Sequence, residues 1–318
     1  MSPITNAELL RKAAGPIGTG DFIAASGLLA AEQANAFLDA VYVATPFSAL
    51  QRNERRRAKT GSIAKIGIGG RLLRKKTAGV DDATLAKTTF GNVSYTCVRS
   101  RLDWEIEEEV FEENIEQAGF EDHVMRLMTS QIGRDLEDLH FNGDTADVSA
   151  DAAFLTQNDG WLKQLAGSGT AVRLNGATVN GGAIAKDHFF DAFQALPDKY
   201  KAQADQMRWF MSPTNESRWL EYLTGRATPA GDAALLGQGG RSPHGIAIQT
   251  IPALSNTRIL LANARQFIVL NTRDIRIRRT TEGREAIRED KRFYAVFLDD
   301  DPIIEEDAGI VDTYGMVA

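Results

Sequence analysis

The chain has 318 residues, of which 43% are hydrophobic and 25% are charged. This composition is ordinary for a folded protein and supplies a sizeable core, which excludes wholesale disorder. A prior of about 150 residues per domain predicts roughly two domains. The net charge of −7 excludes a protein that coats nucleic acid by bulk charge. Cys97 is the single cysteine, which excludes an intrachain disulfide and a cysteine-based zinc cluster.

Residues 1–50 are typical of an N-terminal arm with one or two helices. Met1–Leu10 lacks the basic start and apolar run of a signal peptide, and the stretch from Phe22 to Val43 is too polar to span a bilayer. We therefore expect a soluble protein. The arm is too short to fold alone, so we expect it to need another surface for its apolar stripe. That stripe has roughly helical spacing and consists of Phe22, Leu28, Leu29, Phe37 and Val41.

Residues 51–100 combine strong positive charge with an alternating pattern. Between Arg52 and Lys76 there are ten basic residues and one acid, Glu54, a net charge of +9. Polar and apolar residues alternate around Ile66–Ile68 and again over Val93–Cys97, which predicts a long two-stranded hairpin. An isolated ribbon of this kind is marginal in water, so we expect it to lie on another surface.

The next block, Asp103 to Asp122, contains ten acids and neither lysine nor arginine. Each charged run alone is typical of a solvated face, but two adjacent runs of opposite sign favour mutual contact. An extended hairpin could lay its basic face on the acidic face of a neighbouring copy. The candidate inter-subunit residues are Arg52, Arg55, Arg56, Arg57, Lys59, Arg71, Arg74, Lys75, Lys76, Glu105, Glu107, Glu108, Glu109, Glu112, Glu113 and Glu116.

Residues 119–141 carry the clearest helical pattern, about 22 residues or ~33 Å long. Their apolar stripe, predicted to face the core, consists of Phe120, Val124, Leu127, Met128, Ile132, Leu136 and Leu139. A mixed region follows, so the predicted fold class is α+β. Its predicted elements are a helix over Asp187–Leu196, a strand over Trp209–Met211, a helix opened by Ser212 and Pro213, and strands over Ile246–Ile251, Ile259–Ala262, Phe267–Leu270 and Phe293–Leu298, the last buried on both faces.

The sequence shows no motif for a nucleophile elbow, a zinc protease or a phosphate-binding loop. The four histidines, at positions 123, 140, 188 and 244, lie far apart and are more typical of packing or surface residues. Asp299–Asp301 could form a cation loop, although it lacks the glycine-centred spacing of an EF-hand. We therefore predict no catalytic, cofactor-binding or metal-binding residue, no cofactor, and a protein that is not an enzyme.

Several short segments occur in an order similar to that of a known family. The helix of residues 119–141 ends in Leu139-His140-Phe141-Asn142-Gly143-Asp144, and Gly160-Trp161 follows. The other matching segments are Asp191–Tyr200, Trp209–Thr214, Gly245–Ile248 and Ala262–Leu270. Together with the arm, the basic hairpin and the acidic segment, this order resembles the major capsid proteins of tailed bacteriophages, with the Hong Kong 97-type fold. The resemblance covers about residues 50–300. A Gly-Asp pair that the family often shows before the strand at Phe267 is replaced here by Ala262–Arg265.

The resemblance implies an N-terminal arm over 1–50, an extended hairpin over 51–100 and a peripheral domain over 101–180 that contains the spine helix 119–141. It further implies an axial domain over 181–268, return strands over 269–302 and a C-terminal return to the axial domain over 303–318. The implied function is a structural subunit that self-assembles as hexamers and pentamers into an icosahedral head around double-stranded DNA. No sequence-specific DNA binding and no membrane are implied.

The resemblance also implies a virion protein that is assembled in the cytoplasm of a host bacterium. Because only about 50 residues precede the hairpin, scaffolding is expected from a separate protein. The resemblance also implies a portal and a decoration protein as partners. We predict no covalent crosslink, although Lys65, Lys75, Lys76 and Lys87 are available. Two alternatives stay open: an encapsulin-type nanocompartment shell protein, and a soluble α/β enzyme with an unrecognised site.

Overall fold

The computed structural model describes residues 47–68, 88–113, 120–225, 242–272 and 276–317. The predicted arm up to residue 46 and the end of the predicted hairpin, residues 69–87, lie outside these ranges. So do five of the candidate inter-subunit residues: Arg71, Arg74, Lys75, Lys76 and Glu116.

The described residues form twelve strands and eight helices. The strands are β1 (Arg52–Arg55), β2 (Thr60–Ile68), β3 (Thr88–Thr96), β4 (Val98–Glu107), β5 (Val172–Asn175), β6 (Arg208–Met211), β7 (Ile248–Thr250), β8 (Ile259–Ala262), β9 (Phe267–Asn271), β10 (Arg276–Thr280), β11 (Lys291–Ile304) and β12 (Val311–Tyr314). The helices are α1 (Glu108–Glu113), α2 (Phe120–Asn142), α3 (Ala152–Leu155), α4 (Trp161–Gly167), α5 (Lys186–Ala195), α6 (Asp198–Lys201), α7 (Pro213–Thr224) and α8 (Arg284–Glu289).

The first sheet is organised around β11, a strand of 14 residues. Its order is β1-β9-β11-β10, and β4 also pairs with β11. Residues Lys291–Asp300 of β11 run antiparallel to β4, whereas Asp300–Ile304 run antiparallel to β9. β11 therefore changes partner near Asp300, which is where the hairpin strands β2 and β3 join the body of the chain.

Helix α2 covers one face of this sheet, as its apolar period predicts. Ile132 and Leu136 of α2 pack against Val296 and Leu298 of β11. The prediction of a helix over 119–141 is confirmed, but Leu127 is 59% exposed and does not belong to the core stripe. Its position beside exposed Arg126 explains the difference, because both lie on the solvent side of the helix.

The predicted burial of Phe293–Leu298 on both faces is wrong. Residues alternate along β11, so Val296 and Leu298 are buried against α2, and Tyr294 on the same face is buried and stacks on Trp104. Phe293 and Phe297 are half-buried on the other face. The guanidinium of Arg278 lies 5.9 Å from the Phe297 ring centroid, which gives that apolar face a charged cover. A continuous run of apolar residues in a strand therefore does not show that both faces of the strand are buried.

The second sheet has the order β5-β12-β8-β6-β7. The strand and helix predicted around Ser212 are confirmed: Ser212 Oγ accepts a hydrogen bond from the backbone N–H of Asn215 at 3.2 Å, and Pro213 begins α7. Phe189 of α5 lies between Trp209 and Trp219, with ring centroids 4.9 and 4.7 Å away.

An aromatic core fills the space next to these two sheets. Phe47 is fully buried and contacts four rings edge-on: Phe141, Trp161, Phe210 and Phe267, with centroid distances of 4.9–5.6 Å. These rings come from the end of α2, the start of α4 and both sheets. Phe47 is therefore packed against side chains from both sheets.

Candidate functional site

The hairpin of β2 and β3 carries two of the exposed large apolar side chains, Ile66 and Phe90. Its strands pair antiparallel from Thr60 with Thr96 to Ile68 with Thr88, as the alternating pattern predicts. The inner face carries Ile63, Val93 and Tyr95, which pack against an apolar patch on the first sheet formed by Ile268, Leu270 and Ile303. The chain therefore supplies part of the surface that the hairpin needs.

Two glycines on the inner face leave room for the side chains of the residues paired with them, Tyr95 and Lys65. A Cβ on Gly61 would come within 2.7 Å of the Tyr95 hydroxyl oxygen, and one on Gly91 would come within 3.2 Å of Lys65 Cγ. The Lys65 side chain therefore lies along the hairpin, and its Nζ donates a hydrogen bond to the backbone oxygen of Glu305 at 2.9 Å. This bond fastens the middle of the hairpin to the end of β11.

The outer face of the hairpin has a different character. Near the base its paired residues are polar, with Ser62 opposite Ser94. Further out, Ile66 and Phe90 form a direct cross-strand pair and are 69% and 73% exposed. Two large apolar side chains on one face of a ribbon mark a surface suited to contact with another molecule.

The base of the hairpin is held by an acid of β11. Cys97 separates β3 from β4, and its backbone N–H donates to the Lys59 oxygen at 2.8 Å. Next to it, the backbone N–H of Thr96 donates to Asp301 Oδ2 at 2.7 Å. Burial raises the pKa of the Cys97 thiol to about 12, and the nearby carboxylates of Asp301 and Asp300 add to the effect. A thiol of this kind stays protonated and is a packing group.

Asp299–Asp301 does not form the cation loop considered from the sequence. The three residues lie within β11, so their side chains alternate between its two faces. Arg99 binds Asp299 with Nε–Oδ1 and Nη2–Oδ2 distances of 2.6 and 3.0 Å, and His140 Nε2 lies 2.6 Å from Asp300 Oδ2. Within the described ranges, no cluster of three or more histidine, cysteine or acidic residues could hold a metal ion.

Some residues of the basic run form ion pairs with acids of the same chain. Arg52 pairs with Glu54 at 2.9 Å and with Glu305 at 2.7 Å, and Arg56 pairs with Glu54 at 2.6 Å. These contacts hold β1, which runs parallel to β9 instead of joining the hairpin. Lys59 Nζ lies 3.9 Å from Asp299. Lys65 binds the Glu305 backbone oxygen, and the remaining described members of the basic run, Arg55 and Arg57, are exposed.

The acidic run is divided in the same way. Glu105 pairs with Lys291 at 2.7 Å, and Glu108 accepts two hydrogen bonds from Arg292. These Arg292 contacts lower the pKa of Glu108. Glu107 and Glu109 are exposed, and neither side chain makes a hydrogen bond or ion pair with another described residue. Glu112 and Glu113 are the last two residues of α1.

Sequence reasoning missed the buried charges. Asp312 on β12 is fully buried, with its Oδ2 3.3 Å from Arg173 Nε and 3.1 Å from Arg258 Nη1. Burial raises the pKa of Asp312 despite both cations. The basic partners come from distant parts of the chain, so no local pattern could have revealed them. None of the described helices is long and apolar enough to cross a membrane.

No protein-family model matches the chain. The chain is 28% identical over 288 residues to the "Putative prophage capsid protein YqbE" of Bacillus subtilis (strain 168). The aligned region covers 86% of this chain and 88% of that protein. Its structure is similar to a chain of the satellite phage P4 procapsid including the size determination (Sid) protein, with a TM-score of 0.70 and 12% identity over 89% of this chain and 90% of that one. The chain has the fold of tailed-bacteriophage capsid proteins.

The Hong Kong 97-type fold implied by the sequence resemblance is therefore confirmed. A second solved structure, the capsid of the native GTA particle, is similar to this chain with a TM-score of 0.59 and 10% identity, and the match covers 86% of this chain and 90% of that one. The α+β class is confirmed by the two five-stranded sheets, the two-stranded hairpin and the eight α-helices of the described residues.

Proposed function

We propose that this capsid protein is the structural major subunit of a phage head and assembles with copies of itself, as hexamers and pentamers, into an icosahedral shell around double-stranded DNA. The observation that carries the proposal is a fold shared with assembled capsids together with a hairpin whose outer apolar face is uncovered. An isolated subunit leaves Ile66 and Phe90 in water, and a neighbouring copy would remove them from it.

Charge supports a specific contact between copies. Arg57 at the start of the hairpin and Glu107 and Glu109 at the end of β4 and the start of α1 are exposed. We therefore narrow the basic-to-acidic contact to Arg57 of one copy against Glu107 and Glu109 of the next, with Arg55 alongside. Arg52, Arg56, Glu105 and Glu108 instead hold the subunit itself together.

The partners in this proposal are a separate scaffolding protein, a portal and a decoration protein. The similarity to a procapsid that includes a size determination protein supports an assembly aid encoded apart from the shell subunit. The net charge of −7 suits a shell that encloses DNA without binding its sequence. The subunit would assemble in the cytoplasm of the host bacterium and end in the virion, with no catalytic step.

An encapsulin-type nanocompartment is the alternative with the same architecture. The prophage capsid protein among its relatives favours the phage head. A soluble enzyme is the alternative from another class, and it predicts convergent catalytic groups in a pocket. The cavity of about 1000 Å³ between β4, β10, β11 and α8 is lined by arginines, by three acids and by the rings of Trp104, Phe293 and Tyr294, with no histidine or cysteine among its lining residues.

Electron microscopy of the purified full chain, alone and co-expressed with the neighbouring genes, tests the proposal. We expect closed hollow shells in one or both preparations. Particles that contain DNA when a portal and packaging proteins are present would support the head, whereas a co-purified enzyme inside the shell would support the nanocompartment. Single compact subunits in both preparations would contradict the shell function.

A further inference from the structure

The sequence contains three Asn-Gly pairs, which begin at Asn142, Asn175 and Asn180. An asparagine followed by glycine is prone to spontaneous deamidation, because glycine has no side chain to keep its backbone nitrogen away from the asparagine carboxamide. The reaction requires this nitrogen to reach the carboxamide carbon, so the local geometry decides which pair reacts. The three pairs differ in that geometry.

Asn142 is the last residue of α2, and hydrogen bonds hold both of the groups that would have to react. Its Nδ2 donates to Asp138 Oδ1 at 2.6 Å and to the Ala253 backbone oxygen at 2.7 Å. Gly143 is buried, and its backbone N–H donates to the Leu139 oxygen at 2.9 Å. Neither group can turn toward the other unless these bonds break.

Asn175 is the last residue of β5, and it is held by strand pairing and by its own side chain. It lies opposite Tyr314 of β12, and its Oδ1 accepts a hydrogen bond from the Ala177 backbone N–H at 3.1 Å. Gly176 is buried, and a Cβ added to it would come within 2.9 Å of Met316 Cγ. The backbone of this pair is therefore closely packed and resists rearrangement.

Asn180 and Gly181 are exposed and form the tip of a turn between β5 and α5. Their φ angles of 48° and 63° are both positive, and the Gly182 N–H donates to the Val179 oxygen at 2.9 Å, as in the tight turns that favour Asn-Gly. In the part of the chain that the structure describes, the Asn180 carboxamide makes one hydrogen bond, to the Ala183 oxygen at 3.2 Å, and the Gly181 N–H makes none. A Cβ on Gly181 would meet nothing within 4 Å. Here the attacking nitrogen is available and the carboxamide has room to turn.

We propose that Asn180 is a site of spontaneous deamidation, which changes both the charge and the backbone of this turn. The Gly181 nitrogen attacks Cγ of Asn180 and closes a five-membered succinimide. The proton of that nitrogen passes through solvent to the departing Nδ2 group, which leaves as ammonia. Water then opens the ring at the side-chain carbonyl to give aspartate, or at the main-chain carbonyl to give isoaspartate. One water is consumed and one ammonia is released, with no change in oxidation state.

The modification would alter the attachment of residue 317, because the same turn holds it. The Gly182 oxygen accepts a hydrogen bond from the Val317 N–H at 3.0 Å, and the Val317 oxygen accepts one from Arg218 Nη1 at 2.7 Å. Isoaspartate adds one carbon to the main chain two residues before Gly182. We therefore expect the bond between Gly182 and Val317 to weaken, and each reacted copy to gain one negative charge.

Peptide mapping of the full chain after incubation in mildly alkaline buffer tests the proposal. Trypsin releases residues 174–186 as one peptide, which contains both Asn175 and Asn180, so a single fragmentation spectrum compares them. In the folded chain we expect Asn180 to convert at least about tenfold faster than Asn175 or Asn142, because its reacting atoms can meet without loss of packing. Enzymatic methylation of isoaspartate identifies the rearranged product.

The isolated peptide 174–186 is the matched control, because it carries two of the Asn-Gly pairs without the fold. We expect Asn175 and Asn180 to convert at comparable rates in this peptide. If Asn180 of the folded chain stays intact while the peptide converts, or reacts no faster than Asn175, the proposal is wrong. Asn180→Gln should abolish the isoaspartate of the folded chain, because glutamine would have to close a larger ring, and a persistent signal would also overturn the proposal. None of these outcomes bears on shell assembly.

Discussion

Arg99 and Asp299 form a two-pronged ion pair across neighbouring strands, with Nε–Oδ1 and Nη2–Oδ2 distances of 2.6 and 3.0 Å. Their backbones are direct partners in the β4–β11 register. Asp299 is only 4% exposed, so its charge depends on this contact. The pair holds the first residues of β4 to β11 beside the hairpin base.

Arg99→Gln should lower the melting temperature by several degrees, because it leaves a buried carboxylate without its main cation. Thermal unfolding followed by circular dichroism measures this change. Lys59→Gln is the control, since Lys59 Nζ lies 3.9 Å from Asp299 and its side chain is more exposed. Equal melting temperatures for the two variants would contradict a special role for Arg99.

Arg57→Glu should reduce shell assembly strongly while the subunit stays folded, because it places like charges at the proposed contact between copies. Glu109→Arg in the same chain should restore shells. Electron microscopy and sedimentation count the particles, and circular dichroism checks the fold. Normal shells from the single variant would exclude this contact.

Gly61→Ala should loosen the hairpin, because its Cβ would meet the Tyr95 ring and force the ring to shift. Overpacking of this kind costs about 1–3 kcal/mol. Limited proteolysis of the hairpin should therefore become several-fold faster. Gly167→Ala is the control, since nothing lies within 4 Å of its added Cβ. A hairpin equally resistant in both variants would show that Tyr95 accommodates the methyl group.

Phe47→Ala should destabilise the subunit by about 3–5 kcal/mol, the usual cost of removing a buried phenylalanine. Phe47 contacts rings from both sheets, so its loss leaves a cavity where they meet. Urea unfolding measures the free energy, and Phe47→Leu should lose a smaller part of it. A cost below about 1 kcal/mol would show that neighbouring rings close the cavity.

The elements with a strong local period could be predicted from the sequence. Helix α2, β8 and the Ser212 cap are predicted to within one or two residues, because each depends on neighbours along the chain. The hairpin is predicted as an antiparallel pair, but the predicted range 51–100 is wider than β2 and β3 and includes β1, which pairs with β9. The burial of Asp299 and Asp300 could not be predicted in this way. Arg99 is 200 residues from Asp299, and His140 is 160 residues from Asp300.

The candidate contact residues show the same limit. The sequence revealed the basic and acidic runs, but it did not show which of their residues form ion pairs within the subunit. Arg52 reaches Glu305, 253 residues away, and Arg292 reaches Glu108, 184 residues away. These pairs form because β1 lies on β9 and β4 lies on β11, which is a property of the fold and not of either run.

Strand β12 gives the second sheet a dependence on complete synthesis. Residues 311–314 are an inner strand between β5 and β8, although they are made after every other strand of that sheet. Until residues 311–314 have left the ribosome, β5 has no strand that joins it to β8. A prematurely terminated chain would therefore lack an intact lobe, and a growing particle would be protected from incorporating it.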